Sequence, residues 1–250
     1  MYLYQLAIGD WWNDLKDTFT LNFIDDDRYM LLVKGLGNTF LVTLGATILG
    51  ILLGVIVALV RSTYDKTALG MRPGAGKVVL SLLNKIASLY LTVIRGTPVL
   101  VQLMIAYFVI FVSLAQHKTI VAIIAFGINS GAYVAEIIRS GIMSIDPGQF
   151  EAGRSLGFNY AQTMLYIIIP QALKNVLPAL ANEFIVLIKE TSVSCYIGLH
   201  DLTKGGEIIR SRTYTAFMPL LAVALIYLVI VMFFTRLVNI LERRLRNSER

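Results

Sequence analysis

Residues 35–60 read GLGNTFLVTLGATILGILLGVIVALV, an uncharged run bounded by Lys34 and Arg61. A helix needs about 20 apolar residues to cross the hydrocarbon core of a bilayer, so this run is long enough to span it. Its small residues Gly45, Gly50, Gly54 and Ala58 suit close helix contact better than a lipid-facing surface. The rest of the chain agrees in composition. It has 250 residues, 56% hydrophobic and only 15% charged, with a mean hydropathy of +0.70. Soluble domains carry about 25% charged residues. The expected fold is an all-α polytopic membrane protein with five transmembrane helices, at roughly 35–60, 89–112, 119–138, 176–197 and 216–240.

The connecting segments alternate in charge. Residues 1–34 hold Asp10, Asp14, Asp17, Asp25, Asp26 and Asp27 against Lys16, Arg28 and Lys34. Residues 61–88 hold Arg61, Lys66, Arg72, Lys77 and Lys85 against Asp65, and the tail carries Arg243, Arg244, Arg246 and Arg250. The positive-inside rule then places the N-terminus outside and the C-terminus in the cytoplasm. Residues 1–34 form an extracytoplasmic segment ahead of a transmembrane domain at 35–250, and the segment 146–170 falls on the cytoplasmic side. This topology accounts for the formal charge of +6 without any nucleic acid. The N-terminus, MYLYQLAIGDWWNDLKD, lacks a basic region followed by an apolar one, so no cleavable signal peptide is expected. Trp11 and Trp12 suit a membrane interface.

Catalytic signatures fail on inspection. In GMRPGAGKVV, residues 70–79, five residues separate Gly70 from Gly76, and Val78 follows Lys77 where a phosphate-binding loop has Ser or Thr. The two histidines, His117 and His200, have no paired ligand pattern, and the single Cys195 excludes an intrachain disulfide and a multi-cysteine metal site. Neither a nucleophile elbow nor a His-Glu-x-x-His run is present. No cofactor or metal is expected on this chain, and ATP, if it is used, binds elsewhere.

Residues 151–170, EAGRSLGFNYAQTMLYIIIP, form the longest patterned connector. Asp146 and Pro147 supply a helix start, Gly157 interrupts the helix, and Met164, Leu165 and Ile168 recur at helical spacing. A helix–turn–helix along the membrane surface follows, able to present an apolar ridge to a partner's groove. On spacing alone an ordinary amphipathic surface loop is the favoured reading.

The same stretch resembles the EAA motif of ABC importer membrane subunits: E-A-A, three residues, G, nine residues, I-x-L-P. Glu151, Ala152, Gly157, Ile167 and Pro170 match, with Gly153 in place of the third-position alanine and Ile169 in place of leucine. IRGTPVLVQ (94–102), INSGAYVAEIIRSGI (128–142) and IKETS (188–192) resemble the polar amino acid permease branch of that superfamily. Residues 1–33 and the loop around 64–79 lie outside the resemblance.

The resemblance implies a type I importer fold and a subunit that pairs with a second permease, identical or homologous. Each permease docks its coupling loop into a cytoplasmic ATPase dimer that binds ATP and Mg, while an extracytoplasmic binding protein delivers an amino acid. It implies coupling roles for Glu151, Ala152, Gly153, Gly157 and Pro170, and a bacterial cytoplasmic-membrane location. It also implies a substrate site near Glu183 and Glu190, with Thr191 and Ser192 adding hydroxyls.

Ionisable groups at membrane depth point to function by default. Glu183 and Glu190 stand two turns apart on nearly one face, about 10 Å along the axis. They either pair internally, with Lys189 or Arg95, or receive an ammonium or cationic side chain. Arg95 precedes Gly96-Thr97-Pro98, a break within the second span at which Thr97 is a candidate substrate contact. Two roles stay open for Arg95: meeting a substrate carboxylate, or snorkelling to the cytoplasmic interface. Asn129 and Ser130 either glue helices or line the path, and Glu136 and Arg139 suit an i,i+3 pair. An ion-gradient-driven secondary carrier is the competing function. It leaves the EAA-like stretch unexplained, and no internal repeat of the kind common in such carriers is visible.

Overall fold

The computed structural model describes residues 12–68 and 70–247. Asp10, Trp11 and Arg250 lie outside the described residues, as does the side chain of Arg246. The described residues build five helices long and apolar enough to cross a membrane. The first, α1 (Tyr29–Thr67), lies beside α4 (Lys118–Met143). The two run parallel, with Gly45 against Ile123, Gly50 against Ser130 and Gly54 against Val134. A β-carbon at Gly54 would overlap the Val134 side chain, so the small-residue row of α1 is the seam on which α4 packs. The opposite side of α1, with Leu44, Ile48, Leu52 and Ile56, is exposed.

The second crossing consists of two helices. α2 (Ala75–Arg95) ends at the Gly96 cap, and α3 (Val99–Ile105) starts from Pro98, continuing as a π-turn to Ile110. α2 packs Leu91 on Ala132 and Ala135, while Leu103 of α3 packs among Val121, Ala122, Ala125 and Phe126. The break at 96–98 therefore falls midway along α4. Pro98 cannot continue the ladder of the helix before it and biases Thr97 away from helical angles. The expected break is present, but α2 starts at Ala75, well before residue 89, and α1 runs on to Thr67. Most of the expected basic loop at 61–88 is therefore helix. Its lysines and arginines hid an amphipathic pattern from a hydropathy reading.

After α4 come α5 (Gly148–Ser155) and α6 (Tyr160–Thr163). A π-turn at Met164–Ile168 leads into α7 (Ile169–Glu190) and a 3-10 segment, Thr191–Ile197. From Tyr160 to Ile197 the chain is one rod. The fourth span thus grows directly out of the connector and starts ahead of residue 176. α8 (Leu202–Thr213) and α9 (Phe217–Asn247) complete the chain. α8 starts from Asp201, whose carboxylate accepts the Lys204 and Thr203 amides at 2.9 and 3.3 Å. Phe23, Leu32, Leu202, Ile209 and Val223 knit α8 to α1, α9 and the segment before α1. Asn22 accepts from Thr213 at 2.9 Å and Thr215 at 2.6 Å.

Candidate functional site

A cavity of about 430 Å³ lies between α2, the C-terminal half of α4 and α7, lined by Arg95, Tyr133, Glu136, Ser140, Asn175 and Glu183 among others. Glu183 Oε1 accepts the Ser130 hydroxyl at 2.9 Å, which fixes the carboxylate on the cavity wall. Arg95, the last residue of α2, reaches the same cavity. Its Nη1 lies 3.5 Å from Glu136 Oε2, and its guanidinium lies over the Tyr133 ring, 5.6 Å from the centroid. Arg139 holds the other Glu136 oxygen at 2.7 Å and extends 3.5 Å to Asp65 on α1. The expected Glu136–Arg139 pair is thus the centre of a four-residue ionic chain running from the cavity to the end of α1. Arg95 stands in the cavity wall. Among the described residues, neither Lys189 nor Arg95 forms an ion pair with Glu183 or Glu190.

The remaining expected site residues lie elsewhere. Gln102 braces the helix break, donating to Ile94 O at 2.7 Å and to Thr97 Oγ1 at 2.8 Å. Its carbonyl oxygen accepts from Asn129 at 2.9 Å. The Thr97 hydroxyl donates to Val93 O at 2.8 Å, so Asn129 and Thr97 both brace the break. Thr191 is buried and donates to Ile188 O at 2.9 Å, while Glu190 and Ser192 are half-buried at the far end of α7. Of the six expected substrate residues, Glu183 alone lines the cavity. Sequence reasoning missed Gln102 and the polar wall of Tyr133, Ser140 and Asn175. The signal for Gln102 was a lone amide inside VLVQLMI, a polar group at membrane depth.

The connector folds as helix, turn, helix. The Asp146 carboxylate accepts the Gly148 amide at 2.6 Å, and Glu151 lies exposed in the first turn of α5, where the helix dipole favours an acid. Gly157 has φ +79° with open space around it, so it is required for its backbone conformation. Gly153 is required for space, since a β-carbon there would lie 2.6 Å from Thr163. A capping box, Asn159 with Gln162, restarts the chain as α6. Met164 and Ile168 pack under Ile142, whereas Leu156, Leu165 and Tyr166 are exposed. Half of the apolar ridge therefore anchors the segment to its own bundle and half is open to a partner. Lys66, next to Asp65, lies over the Phe150 ring of α5, 4.8 Å from its centroid.

Comparison with known proteins agrees with this geometry. Residues 50–247 match the family of binding-protein-dependent transport system inner membrane components. The arginine transport system permease protein ArtQ of Bacillus subtilis is 36% identical over 221 residues, covering 87% of this chain and 94% of that protein. The glutamine transport system permease protein GlnP of Escherichia coli is 36% identical over 207 residues, covering 82% and 90%. A solved structure of an amino acid ABC transporter with histidines superposes with a TM-score of 0.75 at 42% identity, covering 89% of this chain and 98% of that one. The chain belongs to the family of inner-membrane permease components of binding-protein-dependent ABC transport systems.

Proposed function

We propose that this chain is the permease subunit of an ATP-driven importer that moves a polar amino acid into the cytoplasm through the cavity between α2, α4 and α7. The observation that carries the reading is Glu183, a carboxylate fixed by Ser130 on a polar cavity wall, in a chain whose relatives are amino acid permeases. A cavity of ≈ 430 Å³ falls in the usual range for small-ligand sites, about 300–1,000 Å³. The carboxylate receives the ammonium group or a cationic side chain. Glu190, Thr191, Ser192, Asn129 and Thr97 belong to the remainder of the path. Thr97 and Asn129 brace the helix break and Thr191 bonds back to Ile188 O here.

The N-terminus lies outside and α5 faces the cytoplasm, as the basic tail and the 61–88 segment support. A second permease, the same chain or a homologue, completes the transport unit. A cytoplasmic ATPase dimer binds ATP and Mg and performs the hydrolysis, and an extracytoplasmic binding protein delivers the substrate. Glu151 makes a polar contact to the ATPase. Ala152, Gly153, Gly157 and Pro170 shape the docking segment. The test of the substrate site is Glu183→Gln in the reconstituted complex. Uptake of L-arginine is expected to fall at least tenfold more than uptake of L-glutamine. An equal loss for both removes Glu183 from the recognition of a cationic side chain.

A further inference from the structure

Resting on the reading of this cavity as the substrate site, we propose that Arg95 is its carboxylate receptor, so that the permease itself selects amino acids over the corresponding amines. Arg95 and Glu183 line one cavity and carry opposite charges, the complement of a ligand with an anionic and a cationic end. Arg95 closes α2, where the helix dipole favours a cation. A guanidinium presents five N–H donors in a planar fork that matches a carboxylate in two bonds.

That fork is under-used. Among the described residues its only ionic partner is Glu136, at 3.5 Å, longer than the roughly 2.7–2.9 Å of a charge-assisted hydrogen bond. Tyr133 supports the face of the guanidinium without consuming a donor. Glu136 does not depend on Arg95, because Arg139 holds it at 2.7 Å. When Arg95 turns to a ligand, Glu136 keeps a cation and no buried charge is stranded. Glu183 lacks such a cation but has its hydroxyl donor, Ser130, leaving its charge for the ligand's positive end. Glu136 is therefore the resting partner of Arg95, and a ligand carboxylate is the exchange partner.

The experiment uses the assembled permease–ATPase complex in detergent, without binding protein, so that no other subunit selects the ligand. Equilibrium binding is measured for L-arginine against agmatine and for L-glutamine against 4-aminobutanamide, pairs that differ by the carboxylate. Wild-type complex is expected to prefer the amino acid by about tenfold or more, as removal of a charged hydrogen-bonding group implies. Arg95→Gln is expected to erase that preference by weakening the amino acid alone, and Arg95→Lys to reduce it severalfold. A preference that survives Arg95→Gln overturns the proposal, as does a wild type that binds both members of each pair equally. If Arg95→Gln does not assemble, Arg95→Lys decides: a reduced preference supports the assignment and an unchanged one refutes it. Wild-type complex that binds none of the four compounds refutes the substrate reading of the cavity itself, and this proposal with it.

Discussion

At Asp201 the fold places a carboxyl outside the membrane spans in full burial, and desolvation pushes its pKa from 3.8 up to about 6 despite the amides of Thr203 and Lys204. The sign follows from proton linkage. The folded state binds this proton more tightly than the unfolded chain, so the contribution to stability is complete below about pH 4 and lost as pH rises through 6. Asp201→Asn keeps the cap acceptor and removes the charge. The variant is expected to melt a few degrees higher than wild type at pH 7.5, with the difference fading by pH 5. A variant that melts lower at pH 7.5 refutes this assignment. In the connector, Gly157 sits at φ +79°, where a β-branched residue costs on the order of 1–2 kcal/mol. Gly157→Val and Glu151→Lys are expected to abolish substrate-stimulated ATP hydrolysis while the chain still inserts and binds amino acid. Normal stimulation in both removes this segment from the drive contact. Glu183 was legible in the sequence because an acid in an apolar span stands out. Arg95 was legible as a charge but not as a wall of the cavity, since its partners Glu136 and Tyr133 belong to another helix.

Among the elements, the α1–α4 seam sets the frame on which the cavity walls stand. Gly54→Ile places a branched side chain where Val134 and the Ala135 amide already lie, and overpacking of this kind costs about 1–3 kcal/mol. The melting temperature of the solubilised protein is expected to drop by several degrees. Ile48→Ala, on the exposed face of the same helix, is expected to leave it within a degree or two. Equal effects mean that the glycine row is not the seam. The small-residue spacing of 35–60 announced this contact, but not that α4 would be the partner. The rod from Tyr160 to Ile197 was harder to foresee. Gly157 and Pro170 read as boundaries, yet a π-turn at Met164–Ile168 carries the chain helically up to Pro170. α2 was shortened in the sequence reading because Lys77 and Lys85 masked an amphipathic start, whereas its Gly96–Pro98 end was plain.

The whole molecule joins the cavity between α2, α4 and α7 to a surface segment through short physical links. Arg95, Glu136, Arg139 and Asp65 run from the cavity to the end of α1, and the neighbouring Lys66 rests on Phe150 of α5. A motion of α5 imposed by an ATPase thus has a packed route to the cavity wall. Whether this chain is driven by ATP is best settled in proteoliposomes holding the permease with its ATPase subunit and binding protein. Uptake of L-glutamine and L-arginine is measured with and without internal ATP, and with ionophores that collapse the proton and sodium gradients. The account predicts uptake that requires ATP hydrolysis and persists at zero ion gradient. Uptake that continues without ATP and disappears with the gradient would contradict it.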